Sequence, residues 1–161
     1  MKPDHATAAT LSAVIENDIR AIESMTWRLR EIADSMNPES FTELAGAAYL
    51  LHNIYNALEN TFEQISRSFE NHVKDVSKWH KELLGKMFLE IPGIRPAVFP
   101  QELRSILNEL RGFRHIFRHS YDFEIDPRKL QIVIEDFSAE QEKLVMALSA
   151  FKRWLLCEAE E

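Results

Sequence analysis

The sequence predicts an all-α protein, an up-and-down bundle of about five helices, and three observations predict it. Apolar residues recur at steps of three and four along most of the chain, no run alternates apolar and polar as a strand would, and the prolines gather where the periodic stretches stop. With 161 residues, the chain is expected to form one domain, residues 1–161, around a single core. Four glycines and six prolines, beside 45% hydrophobic and 28% charged residues, argue against collagen-like repeats, Gly-rich linkers and disorder.

The first stripe is Leu11, Ile15, Ile22, Met25, Leu29, Ile32 and Met36, one long helix from about Thr10 to Met36. Asn37-Pro38 stops it, because proline lacks a backbone donor and biases its predecessor away from helix. A second helix is expected from near Ser40, with Glu43 placed for a capping box, to near Asn71; its stripe is Leu44, Ala47, Ala48, Leu51, Ile54, Leu58, Ile65 and Phe69. A third, shorter helix, roughly residues 76–90, carries Trp79, Leu83, Leu84, Met87 and Phe88, with Asp75 or Ser77 as its cap. Residues 91–100 hold three prolines and a glycine and must be a loop, with Pro100 opening the fourth helix. That helix carries Leu103, Ile106, Leu110, Phe113 and Phe117 and fades near Tyr121. Asp126 and Pro127 are the cap and first residue of a long fifth helix through Leu130, Val133, Phe137, Leu144, Leu148, Phe151 and Leu155. The methionines, Trp27 and Trp79 are expected in the core.

Nineteen basic residues against 26 acidic ones give a net charge of -7, which argues against a general nucleic-acid coat. The lone Cys157 cannot form an internal disulfide, residues 1–10 lack the apolar run of a signal peptide, and the apolar tract 44–58 is too short to span a bilayer. A cytoplasmic protein without a membrane segment is the expectation.

Between Arg104 and Tyr121 the charge inverts: Arg104, Arg111, Arg114 and Arg118 stand against Glu109 alone, a local +3, with His115 and His119 interleaved. All four cations are arginine, whose forked donors suit phosphate, although a solvated face or arginines paired with other helices would give the same pattern. On a regular helix His119 lies about 140° round from Arg114, while Tyr121 returns to nearly the same side. Either the helix ends or distorts around His119, or the pocket forms at a two-fold interface to which each chain brings part of the set. His115 and His119, four apart, can bind zinc from one face, but position 116 is Ile where a His-Glu-x-x-His motif needs Glu. Asp122, Glu124 and Asp126 are better explained as a cap and its solvated neighbours than as metal ligands. No metal and no cofactor is expected.

The run Arg114-His-Ile-Phe-Arg-His119-Ser-Tyr121 resembles the R-x-x-x-x-H-x-Y motif of the HEPN superfamily, in its branch of HepT-like toxins. The stretches His52-Asn-Ile-Tyr-Asn-Ala-Leu-Glu59, Trp79-His-Lys-Glu-Leu-Leu84, Pro92-Gly-Ile-Arg-Pro-Ala97 and Leu110 to His119 are similar to that family in order and wording, over roughly residues 45–155. The resemblance implies a HEPN-like bundle and a metal-independent endoribonuclease toxin working as a homodimer, with Arg114 and His119 as the catalytic pair. Its RNA substrate would be a tRNA or mRNA. His115, which replaces the family's usual polar residue after the arginine, would orient the phosphate or share proton transfer, and Arg111 and Arg118 would be secondary phosphate contacts by position. The resemblance further implies a nucleotidyltransferase antitoxin of the MNT type that AMPylates Tyr121. The competing expectation is a non-catalytic HEPN-like module that binds a nucleotide or the nucleotidyltransferase.

Overall fold

The computed structural model describes residues 4–70, 78–119 and 124–159. Among these the chain is built from five α-helices without a strand: α1 His5–Ala33, α2 Phe41–Phe69, α3 Trp79–Lys86, α4 Arg104–His119 and α5 Pro127–Ala159. A 3-10 turn, Gln101–Leu103, leads into α4.

Local chemistry sets the helix ends. Asp4 caps α1, its side chain accepting the Thr7 N–H at 2.7 Å, so the helix opens five residues earlier than the apolar spacing predicts; the fully buried Ala8 carries the stripe into that first turn. α1 ends at Ala33, and Met36 packs on the core from beyond the helix. Ser40 caps α2 by accepting the Glu43 N–H, but the Glu43 carboxylate reaches past it to the Asn37 N–H at 2.6 Å, so the capping box closes on an earlier residue. α3 is shorter than expected. Its last turn tightens into 3-10-type bonds, Met87 N–H to Leu84, Phe88 to Gly85 and Leu89 to Lys86, which turn the chain before residue 90. The expected caps Asp75 and Ser77 lie outside the described residues. Pro100 precedes the 3-10 turn as its extended cap residue. Asp126 accepts N–H groups from Arg128 and Lys129, and Pro127 opens α5, as expected.

Side-chain contacts fix the helix directions. Asp18 of α1 accepts from Asn60 Nδ2 and Thr61 Oγ1 of α2, both at 2.8 Å, while Gly46 of α2 faces Ile32 at the other end of α1; the two helices are therefore antiparallel. α5 also runs against α1, since Glu16 pairs with Lys152 and Arg30 Nη2 donates to Gln141 Oε1. α4 runs against α2, with Arg114 opposite Asn56 and Glu59 and Phe117 opposite His52. The long helices thus alternate up and down, and their apolar stripes merge in one core whose largest fully buried side chains include Tyr55, Phe62, Phe99 and Phe137.

Trp27 is a correction: it is 62% exposed, as is Met146 at 69%. Trp27 lies about 200° round the helix from Leu29, on the face opposite the stripe. Among the described residues no helix is long and apolar enough to cross a membrane.

Candidate functional site

The α2–α4 crossing carries the site. α4 buries Ile106, Leu107 and Leu110 against the core and half-buries Phe113 and Phe117, which stack on each other. Arg114 is thereby turned onto α2, where only 12% of its side chain is exposed. Its Nε donates to Asn56 Oδ1 at 2.5 Å and its Nη2 meets Glu59 Oε1 at 3.3 Å. A guanidinium only donates, so Asn56 must present its carbonyl oxygen here and its amide nitrogen on the other side. That nitrogen donates to Asn53 Oδ1 at 3.3 Å and to His52 Nε2 at 3.1 Å. Glu59, 7% exposed, passes its second oxygen to His80 Nδ1 of α3 at 2.8 Å. His52, Asn56, Arg114, Glu59 and His80 form one continuous polar chain across three helices, with Arg114 at its centre. Among the described residues Nη1 of Arg114 has no acceptor.

His52 accepts through Nε2, so its ring proton sits on Nδ1, a buried atom without a partner among the described residues. Burial first, then the charges of Arg114 and Arg118, hold the His52 pKa below its ordinary 6.5. The folded chain therefore takes up the second ring proton, on Nε2, less readily than the unfolded chain, and its stability falls as pH drops below about 6.5. His52→Gln is expected to lose less stability on acidification than the wild type, measured as the difference in melting temperature between about pH 7.5 and pH 5.5. Tyr55, fully buried beside the polar chain, has a hydroxyl without a partner among the described residues, and its pKa is pushed well up by burial and then by the Glu59 charge, so it stays neutral.

α4 is helical as far as His119, its last described residue. His119 is exposed and lies far round the helix from the inward Arg114, so the two do not converge within one chain. Its Nδ1 lies 2.9 Å from the His115 carbonyl oxygen, which only accepts. Nδ1 therefore holds a proton, leaving Nε2 as the nitrogen that takes up or gives up a proton. The exposed His115 ring lies beside it, centroids 4.6 Å apart.

The remaining arginines separate. Arg118 is exposed one turn beyond Arg114. Arg111 is half-buried in the α2–α4 seam, close enough to act on Tyr55, and its Nε is buried without a partner among the described residues. Arg104 sits over the Phe88 ring at 4.4 Å, about 15 Å along the helix from Arg114, and takes no part in the site. Tyr121, the expected modification position, lies outside the described residues, as does Asp122. Among the described residues no group of three His, Cys, Asp or Glu side chains is gathered to hold a metal ion.

Asn56, Glu59 and His80 drew no role from sequence reasoning. A signal was available for Asn56 and Glu59: with His52, which also drew no role, they are spaced four and three apart and form a polar file along α2.

Comparisons with curated proteins and with solved structures give no significant match. The family model described as HepT-like protein matches residues 46–155, a span that holds all five side chains of the polar chain and both histidines of α4, and the chain belongs to this HepT-like family of the HEPN superfamily.

Proposed function

We propose that the protein is the ribonuclease toxin of a toxin–antitoxin pair: a homodimeric, metal-independent endoribonuclease that cuts RNA with Arg114 of one chain and His119 of the other. The observation that carries this reading is the pairing, in a HepT-like chain, of an anchored guanidinium having one edge left over with an exposed imidazole whose tautomer is fixed. Cleavage begins when the RNA 2′-hydroxyl attacks the adjacent phosphorus, forming one P–O bond and breaking the bond to the 5′-oxygen. His119 Nε2 takes the hydroxyl proton while water protonates the leaving oxygen or, protonated, supplies the proton to the leaving oxygen while water takes that of the hydroxyl. Arg114, its position held by Asn56 and Glu59, neutralises the crowded phosphate through Nη1. His115, Arg118 and Arg111 serve as secondary phosphate contacts, His115 and Arg118 from the exposed face and Arg111 from the seam.

The antitoxin in this proposal is a nucleotidyltransferase that transfers AMP to Tyr121, two residues beyond His119, placing an anionic group where the RNA backbone would run. The test is incubation of unmodified protein with tRNA and mRNA in EDTA. Cleavage is expected, and His119→Ala and Arg114→Gln are each expected to abolish it. Absence of cleavage by the pure unmodified protein overturns the reading in favour of a non-catalytic binding module. Intact mass after co-expression with a candidate transferase reports the addition of AMP, and Tyr121→Phe is expected to prevent it.

A further inference from the structure

We propose that His80 is a positioning residue for Arg114, acting through Glu59. Arg114 is gripped on two sides, and the two grips differ. Its bond to Asn56 is short and comes from an amide already tied to His52 and Asn53. Its contact with Glu59, at 3.3 Å, is long for a charge-assisted pair, which normally closes to about 2.7–2.9 Å. The slack grip depends on how the carboxylate is turned. Glu59 stands among the buried side chains of α2, with Leu58 one residue before it and Phe62 three after it, both inside the core, so its two oxygens rely on donors from neighbouring helices. Arg114 supplies one and His80 the other, and only His80 has the short bond, 2.8 Å, that fixes the plane of the carboxylate.

His80 is itself held. It belongs to α3, and its ring meets the ring of Trp79, a side chain packed on the core, at 4.9 Å and 65°. Because a carboxylate only accepts, His80 donates from Nδ1–H, which both the neutral tautomer and the imidazolium provide. The grip therefore needs a donor at this position and not a charge. Asparagine can place an amide N–H in a similar position; phenylalanine keeps a ring against Trp79 and offers no donor.

For catalysis the inference rests on Arg114 being the phosphate-holding group of the proposed ribonuclease; as a statement about the guanidinium it stands apart from that reading, and the experiment separates the two. The full-length unmodified protein, without RNA, is compared with His80→Ala, His80→Phe and His80→Asn by 15N NMR of arginine side chains, with Arg114→Lys assigning the Arg114 signals. Wild type and His80→Asn are expected to show separate Nη signals for Arg114, the mark of hindered rotation about Nε–Cζ. In His80→Ala and His80→Phe these signals are expected to merge while the melting curve holds. In the RNA assay kcat is expected to fall at least tenfold in those two variants, with KM within about twofold, and to recover in His80→Asn. Unchanged Arg114 signals in folded His80→Ala or His80→Phe overturn the proposal. If the wild type cleaves no RNA, the ribonuclease reading fails and the NMR comparison still decides whether His80 holds Arg114.

Discussion

Replacing Arg95 with alanine is expected to cost the fold about 3–5 kcal/mol, the range for removing one partner of a buried ion pair. The Arg95 side chain is fully buried and uses its whole fork: Nε and Nη2 bond Glu70 at the end of α2, Nη1 donates to the Leu89 and Pro96 carbonyls, and Nη2 reaches the Lys86 carbonyl. Alanine would leave Glu70, 9% exposed, with Lys86 as its remaining partner at 3.1 Å, and would strip three carbonyls of a donor. Lysine is not a substitute, since its single nitrogen cannot reach the carboxylate and the carbonyls on either side of it. Arg95→Lys should thus recover little of the loss, whereas Arg95→Ala combined with Glu70→Ala should be milder than the sum of the two single changes, because the stranded carboxylate is gone. Urea unfolding followed by circular dichroism measures all four proteins; a loss below about 1 kcal/mol for Arg95→Ala would show the pair to be dispensable. The loop it braces, residues 91–100, follows α3 and is bonded to its end through Met87, so its integrity bears on where His80 stands.

The bundle was legible because helices leave a local, repeated trace. The stripes of α1, α2, α4 and α5 are the buried faces in the structure, and Ser40, Asp126 and Pro127 mark ends by chemistry that acts over three or four residues. Boundaries slipped where the deciding contact was not apolar: Asp4 at the start of α1, the 3-10 bonds that close α3. Trp27 went astray because its size and hydrophobicity suggested burial, against the helical angle that turns it outward. In the site, Arg114 and His119 stood out through residue type and spacing, and helix geometry alone set them about 140° apart; which of the two turns inward was not legible. The charge inversion between Arg104 and Tyr121 treated four arginines alike, whereas packing sends Arg104 to Phe88, Arg111 into the seam, Arg114 onto α2 and Arg118 to solvent. The Arg114 clamp was invisible for a simpler reason. Asn56 lies 58 residues from Arg114 and Glu59 lies 21 from His80, and no local pattern encodes such pairings.

A mixture of two inactive variants is expected to regain activity, and this test bears most directly on the proposed dimer. His119→Ala alone should lower cleavage by about 10²–10⁴-fold, the usual worth of a general acid or base. Arg114→Gln should be comparably damaging, since it removes the charge beside the phosphate while leaving an amide for Glu59. In one chain α4 directs Arg114 inward and His119 outward, about 140° apart on a helix that stays regular between them. If a working site joins Arg114 of one chain to His119 of its partner, a heterodimer of the two variants contains one intact site and one site lacking both groups. Random pairing makes half the dimers mixed, each with one site of two, so the mixture should recover about a quarter of wild-type activity. Heterodimers isolated with two different tags should show about half. If each chain instead built a complete site by itself, every site in the mixture would lack one group and activity would stay at the level of the single variants. Recovery thus requires a shared site, and its absence would overturn the pairing of Arg114 with the partner's imidazole.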